Sequence, residues 1–562
     1  MRTELDRRMD ETIAGLTATG GMLATDTIER WGTTLPVIAA APPSLPHYFA
    51  HYCNQHRDVE FLVSGDERLT FGQVYEVAGR VARALVGRGI ARGDRVGIAA
   101  RNSPSWIVTY MGVLMAGGVA TLLNGWWQAE ECAAAIADVD CALIVADAPR
   151  AARLAQIPGR KPPVVTLDDT LPLDRAIAPL VEGAAGELPE VGPDNLATIL
   201  FTSGSTGQSK GALSDHRAVI AGTFSFLSQA LTMLSIATQD GKAPTTQHVT
   251  LLTIPLFHVT AEVPVFLQSF AIGRRLVIIP KWDPVEAMRL IEKERVTYFI
   301  GVPLMSFEIL NHPDRANYDL SSVTDFGAGG APRPVEHVRR IDAEMGGPAP
   351  LIGYGLTETN AVGTGNWRTN YLAKPDSCGR PSKPLVDVAI VDDDGRHLPQ
   401  GERGEIGIRS IANFRGYWNR PAATAQAFTA DGFFRSGDIG YLDADGYLFI
   451  VDRKKDIIIR GGENISCQEV EAALYTHPAV KEAAVFGLPD ERLGEVPVAV
   501  VHLDGDMAVS DDGLRAYLAD HIAAFKVPTR VWIAEAPLPR LGTEKIDKVG
   551  LKAAYRALAV TA

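Results

Sequence analysis

The sequence predicts an α/β protein with a large N-terminal domain of doubly wound sheets, a β-rich subdomain, and a small α+β domain at the C-terminus. Three observations carry this. Short apolar strands alternate with helical patterns through most of the first 350 residues or so, which implies a parallel sheet with helices on its faces. From about Asp387 the texture changes, and Asp394-Gly395, Asp431-Gly432 and Asp445-Gly446 punctuate short alternating runs, the signature of β-hairpins. After Asp452 a second, smaller alternation of strands and helices begins. A chain of 562 residues also exceeds what one core serves. The expected division is an extension over 1–45, a main domain over 46–454, and a C-terminal domain over 455–562 with a hinge near Lys455.

The elements follow in order. Phe71, Val74, Tyr75, Ala78, Val81, Ala82 and Leu85 recur at helical spacing and define the first amphipathic helix. Gly87 and Gly89 end it, and Arg95–Ala99 reads as a buried strand. Asn102-Ser103-Pro104 opens a helix that stops before Gly117-Gly118, and a strand at Val119–Leu123 follows. A helix near 129–137 and a strand at Ala142–Ala146 complete this run. Beyond a Pro- and Gly-rich stretch, Leu196–Phe201 is a strand leading through a Gly/Ser/Thr loop to a helix near Arg217. Strands at Val249–Ile254 and Leu276–Ile279 come next, then a helix opened by Asp283 as N-cap and Pro284 in the first turn. In the C-terminal part, helices are expected near 468–476 and 511–523.

Charge and composition exclude several classes. The formal net charge of -13 argues against nucleic acid as the main partner, because a phosphate backbone needs a basic face. Five cysteines without CxxC spacing make neither a disulfide framework nor a structural zinc site. The first residues carry charges of both signs and no apolar h-region, and no apolar run approaches membrane-spanning length. A cytoplasmic location is the expectation.

The most informative stretch is Thr202-Ser203-Gly204-Ser205-Thr206-Gly207-Gln208-Ser209-Lys210-Gly211. Its glycines let successive backbone N–H groups converge on an anion, its hydroxyls add donors, and Lys210 adds a positive charge. The loop follows a strand, the usual place for a ligand loop in such sheets. It lacks the Gly-Lys-Ser/Thr of a Walker motif.

Ser-Gly-Ser-Thr-Gly with a downstream Lys-Gly resembles the phosphate loop of acyl-adenylate-forming enzymes, and further motifs follow in that family's order. They are Gly327–Pro332 (GAGGAP), Tyr354-Gly355-Leu356-Thr357-Glu358, Ser436-Gly437-Asp438, Asp452-Arg453, Gly461-Gly462-Glu463-Asn464 and Lys545. The resemblance covers roughly residues 45 to 550 and points to the acyl-CoA synthetase branch. It implies ATP, Mg²⁺ and coenzyme A as cofactors and a small-molecule carboxylic acid as substrate. Thr202, Ser203, Gly204, Ser205, Thr206, Gly207 and Lys210 would then cradle phosphates. Tyr354 would stack on adenine, with Gly355 beside it and the backbone of Gly329, Gly330 and Ala331 lining the base. Thr357 would donate to a phosphate and Glu358 would hold Mg²⁺, a cation that prefers carboxylate and phosphate oxygens. Asp438 would accept from the ribose hydroxyls, with Arg453 adjacent.

Lys545 matches the lysine that in similar enzymes reaches the carboxylate and the α-phosphate during adenylation, where a long charged donor offsets the repulsion of two anions. Glycine usually precedes it; here Glu544 does. Pro255–Val259 resembles a motif bounding the acyl pocket, which places His258 near the carboxylate, with Gly301-Val302-Pro303 and Ala361-Val362-Gly363 as further lining. Lys455 matches the hinge of a mobile C-terminal domain, and Gly461 and Gly462 match a segment lying along the pantetheine arm. Homodimers are common among similar enzymes. Two alternatives stay open at this point: an adenylating enzyme that loads a carrier protein, and a non-catalytic nucleotide-binding relative.

Overall fold

A computed structural model of the chain describes residues 2–561 apart from 160, 203–208, 331–332, 346–348, 461–462, 505–506, 508 and 542–544. The chain divides into two compact units, Met1–Val388 with Gly407–Phe434 and Asp445–Tyr447, and Ala389–Ile406 with Arg435–Ala444 and Leu448–Ala562.

The first unit contains two large sheets. The seven-stranded sheet runs, by spatial order, 416–417, 210–215, 196–202, 119–122, 95–99, 143–147 and 164–167. All its pairs are parallel except the two made by Lys210–Asp215. The nine-stranded sheet is parallel from Glu60–Ser64 through 275–278, 249–252, 298–301 and 325–329 to Ala349–Gly355, with antiparallel strands at both edges. The doubly wound expectation holds. Helix starts follow the capping signals: Ser103 accepts from the backbone N of Trp106, and Asp283 from that of Glu286. One local reading needs correction. Between the Gly/Ser/Thr loop and the helix at Arg217 lies a strand, Lys210–Asp215, so Lys210 begins a strand paired with Thr202.

Residues 1–45, expected only as an extension, belong to the first unit. A helix at Glu4–Thr17 and a hairpin of Thr25–Arg30 with Thr33–Ile38 precede the helix Phe71–Gly87, as does a helix at Leu45–Gln55. Periodicity could not find the first helix, because its only buried residue is Asp6. That carboxylate is 1% exposed and accepts from Tyr447 Oη at 2.8 Å, Asn370 Nδ2 at 3.1 Å and Arg380 at 3.2 Å. Removing one partner of a buried charged network leaves the others unsatisfied, so Asp6→Ala is expected to cost about 3 kcal/mol. A lower urea midpoint, with a smaller loss for Asp6→Asn, checks this.

The long helix His216–Gln239 also departs from expectation, since by length and composition it could cross a membrane. Its interior Ser and Thr residues disguise it in the sequence; 61% of its most apolar window is buried within the protein, as for a core helix.

The second unit is built on a sheet ordered 463–465, 458–460, 494–503 and 480–490, with Val531–Ala534 parallel to 494–503. Helices Cys467–Tyr475, Asp511–Ala519 and Lys548–Thr561 accompany it. Val470, Leu474, Val485, Ala499, Val501, Leu514 and Leu518 form its apolar core. The strands Phe434–Leu442 and Leu448–Arg453 pair antiparallel around the expected Asp445-Gly446 turn, where Gly446 takes a φ of 82°.

Candidate active site

Four adjacent parallel strands of the nine-stranded sheet deliver predicted site residues to their carboxyl ends, where open α/β sheets bind ligands. Val249–Leu252 leads to His258, Tyr298–Gly301 to Val302 and Pro303, Asp325–Gly329 to Gly330, and Ala349–Gly355 to Thr357 and Glu358. Gly329 pairs with Gly353, which sets Gly329-Gly330 beside Tyr354. Tyr354 is half-buried at the end of its strand.

The chain reverses sharply after Tyr354. A short 3₁₀ turn, Thr357–Thr359, passes through left-handed Asn360 and Ala361 (φ 49° and 65°) into the antiparallel strand Gly363–Trp367. The return is too close for side chains: a Cβ on Gly355 would lie 2.0 Å from the Ala361 carbonyl oxygen, and one on Gly363 would lie 2.3 Å from that of Tyr354. Thr359 Oγ1 donates to the Val362 carbonyl at 2.6 Å, and Asn360 Nδ2 to the Ala412 carbonyl at 2.7 Å. The backbone N of Phe414 donates to the Glu358 carbonyl at 2.8 Å. Glu358 is therefore presented from a fixed turn rather than a loose loop.

Its carboxylate is 8% exposed and accepts from Tyr417 Oη at 2.8 Å. Burial and this neighbouring carboxylate push the Tyr417 phenol far up, so it stays a donor. Lys210 Nζ lies 4.9 Å from the centre of the same ring. Lys210 and Glu358 thus meet at Tyr417, a residue the motif reading missed, and Thr202 is paired to Lys210 on the adjoining strand. Nothing local in Gly416-Tyr417 marks it, because its role comes from pairing with Ala212 and Leu213. Asn360 was also missed, although asparagine is among the few residues that tolerate a left-handed turn.

His258 is partly buried and packs its ring on Phe257 at 4.5 Å. It opens a short helix that continues as a π-helix, Glu262–Leu267. Within this segment Thr260 Cγ2 would lie 3.4 Å from a Cβ on Gly329, so the His258 segment borders the Gly329 wall. Glu262, fully buried, accepts from Tyr110 Oη at 2.7 Å. Burial pushes its carboxyl up to about 7, against the opposing pull of that hydrogen bond.

In the second unit, Asp438 stands opposite Arg453 across the hairpin, with Arg453 Nε 3.1 Å from Asp438 Oδ1. Asp438 is 4% exposed. The turn before it is fixed by Glu405, which accepts from the Gly437 backbone N at 3.1 Å and binds Arg435 at 2.8 Å. Gly437 is left-handed at φ 74°. Lys545 sits in a tight reversal where Leu541 N donates to the Lys545 carbonyl at 2.7 Å and Arg540 pairs with Ile546. Burial, and then repulsion from Arg453, push its amine down to about 8, with Asp438 opposing. The predicted trio Asp438, Arg453 and Lys545 therefore share one electrostatic environment. Lys455 is exposed two residues beyond Arg453. Ser203, Gly204, Ser205, Thr206, Gly207, Ala331, Gly461, Gly462 and Glu544 lie outside the described residues.

Among the described residues no group of three or more His, Cys, Asp or Glu could hold a metal ion by itself. One buried carboxylate does suit Mg²⁺, which commonly takes one or two carboxylates together with substrate phosphates.

Comparison with known proteins agrees with this geometry. A family model described as AMP-binding enzyme matches residues 49–418, and one described as AMP-binding enzyme C-terminal domain matches 469–545. The long-chain-fatty-acid–CoA ligase FadD13 of Mycobacterium tuberculosis is 35% identical, over 88% of this chain and 94% of its own. A feruloyl-CoA synthase of an Amycolatopsis species is 34% identical, over 86% of this chain and 93% of its own. ATP-bound MatB from Rhodopseudomonas palustris superimposes with a TM-score of 0.79 at 29% identity, covering 91% of this chain and 99% of that one.

Proposed function

Since the chain belongs to the AMP-binding enzyme family, we propose that it is an ATP-dependent acid–CoA ligase that works through an acyl-adenylate. A carboxylate oxygen attacks the α-phosphorus of ATP; that P–O bond forms, the bond to the bridging oxygen breaks, and pyrophosphate leaves. The thiol of coenzyme A then attacks the acyl carbon, the C–O bond to AMP breaks, and the thiol proton is released. The observation that carries the reading is the fixed turn after Tyr354, which holds the buried Glu358 against Tyr417 at the carboxyl ends of the parallel strands. The relatives named as CoA ligases, similar over most of their length, support CoA as acceptor.

The residues divide the work. Tyr354 and the Gly329-Gly330 backbone receive adenine, Asp438 accepts from the ribose hydroxyls, and Thr202, Ser203–Gly207, Lys210 and Thr357 bind phosphate oxygens. Glu358 would hold Mg²⁺, which when bound supplies charge neutralisation for the phosphates. Lys545 neutralises the approach of carboxylate to α-phosphate. His258 orients the acid, and Gly461-Gly462 lie along the pantetheine arm. The working division is 46–454 and 455–562 with the hinge at Lys455, in a cytoplasmic enzyme.

Asp438→Asn keeps the shape but loses the charge-assisted acceptance. It is expected to raise the KM for ATP by roughly tenfold, since hydrogen bonds to charged groups contribute about 1.5–3 kcal/mol. A larger effect on kcat than on KM would remove Asp438 from the ribose role.

The deciding experiment measures acid-dependent AMP release with and without CoA, across fatty, aryl and polycyclic acids. AMP and acyl-CoA formed together establish the ligase. AMP release that ignores CoA assigns another acceptor, and ATP binding without AMP release from any acid overturns the catalytic reading.

A further inference from the structure

We propose that Lys548 is a positioning residue for adenylation: clamped to Glu471, it fixes the reversal that carries Lys545 in place against Arg453 and Asp438. This rests on the ligase reading and deepens it by assigning what aims the amine.

The reversal is short and anchored on both arms. Leu541 N donates to the Lys545 carbonyl at 2.7 Å, Arg540 pairs with Ile546, and Asp547 N donates to the Pro539 carbonyl at 2.7 Å, so the arms 539–541 and 545–547 lie side by side. On the incoming arm Glu482, 6% exposed, accepts from Leu538 N at 2.6 Å and from Arg540 at 2.5 Å. On the outgoing arm Lys548 Nζ lies 2.6 Å from Glu471 Oε1. Lys545 has no ion-pair partner of its own among the described residues, so the backbone of the reversal sets its aim. From Lys545 to Lys548 the chain spans at most ~11 Å, and a shift of the clamp is passed on to the amine.

Glu471 is a fixed post. It stands on the helix Cys467–Tyr475 with its side chain 13% exposed, and the same oxygen accepts from the backbone N of Val485 at 2.7 Å. Val485 and Glu482 belong to one strand, Val480–Asp490, so both arms of the reversal are referred to a single element. Against the pull of burial, the Glu471 charge holds the Lys548 amine above its ordinary value, and the clamp stays charged. Asp547 caps the final helix, its Oδ1 accepting from Gly550 N at 2.9 Å, which gives Lys548 a set direction in the first turn.

The helix of Glu471 is in turn bonded to the residues just before Arg453. Ser466 Oγ donates to the Val451 carbonyl at 2.7 Å, and Asp452, 1% exposed, accepts from the backbone N of Cys467 and of Gln468. The next residue is Arg453, whose Nε meets Asp438 at 3.1 Å. One connected path therefore runs from Lys545 through Lys548, Glu471 and Asp452 to Arg453 and Asp438. Its side-chain links are charge-assisted and largely withdrawn from water, where such bonds are strong and directional.

The test uses the full chain with decanoate, benzoate and cholate, taking whichever the wild type turns over best. Pyrophosphate exchange reads adenylation, and acyl-CoA formation from synthetic acyl-adenylate reads the second step. The pair variant Glu471→Gln/Lys548→Met removes both charges, and glutamine still accepts from Val485, so no buried charge is left alone. Because a misplacement of about 1 Å can cost 10²-fold, the variant is expected to lower adenylation kcat by about 10- to 100-fold. The KM for ATP and the second step should be nearly unchanged, and Lys548→Arg, which keeps the clamp, should recover most of the loss. In a Lys545→Ala background the pair variant should cost less than about twofold more, since residues acting as one unit are not additive. A general loosening would instead lower both half-reactions and multiply the Lys545→Ala loss. Unchanged adenylation, equal losses in both steps, or a full further loss in the Lys545→Ala background each overturn the inference and leave the ligase standing. If the pair variant does not fold, Lys548→Gln is read in the same assays, with a smaller loss expected and still confined to adenylation. A wild type that activates no acid overturns the ligase reading, and this proposal falls with it.

Discussion

Lys545→Ala is expected to lower kcat/KM for adenylation by about 10²–10³-fold, the usual loss when one preorganised charge-stabilising donor is removed. Thioesterification of supplied acyl-AMP should survive, because the second step brings a neutral acyl carbon and a thiol together rather than two anions. The two half-reactions are separated by pyrophosphate exchange and by acyl-CoA formation from synthetic adenylate. Equal loss in both would end the assignment. The wild type carries a second signature. Burial and Arg453 hold the Lys545 amine at about 8, so the useful, protonated form predominates below that pH and disappears above it. Adenylation kcat/KM should therefore fall as pH rises through about 8, an alkaline limb set by the free enzyme. Bound phosphates favour the charged amine, so the corresponding limb in kcat should lie at higher pH.

Glu358→Gln should be the second severe change, with adenylation reduced by about 10²-fold and a higher Mg²⁺ concentration needed for half-maximal rate. Glutamine preserves the size of the side chain and still accepts from Tyr417, so the turn from Tyr354 to Val362 should keep its shape. What is lost is the negative charge. Tyr417→Phe is the contrasting variant, since it keeps the carboxylate but frees its orientation, and a milder loss with nearly normal Mg²⁺ dependence is expected. Wild-type Mg²⁺ dependence in Glu358→Gln would show that the carboxylate serves the turn and not the metal.

Much of the architecture was legible in local pattern. The alternation of strands and helices gave the doubly wound sheets, and capping residues such as Ser103 and Asp283 start their helices where expected. The Asp-Gly pairs mark turns, as at Gly395, Gly432 and Gly446, all with positive φ. Tyr354, Thr357 and Glu358 were also found together, because consecutive residues on a strand and its turn must arrive at one place. The failures have a common origin. The N-terminal helix is pinned by one buried aspartate and by ion pairs rather than by an apolar stripe, so it has no periodicity to detect. Lys210 was read as part of a loop because a short strand beside a glycine-rich segment has too few residues to declare itself.

By itself the sequence determined the elements, the order of the motifs and the chemical type of each candidate group, since propensity, capping and spacing act over a few residues. Only the tertiary structure decided which groups meet. Sheet pairing brings Tyr417 to Glu358 across 59 positions, and hairpin register places Arg453 against Asp438. Burial next to Arg453 turns Lys545 from an ordinary surface amine into one held at about 8. The same kind of long-range packing fixes the first helix of the chain, whose buried Asp6 meets Tyr447 and Asn370. Desolvation and pairing depend on atoms remote in sequence, and therefore appear only once the chain is folded.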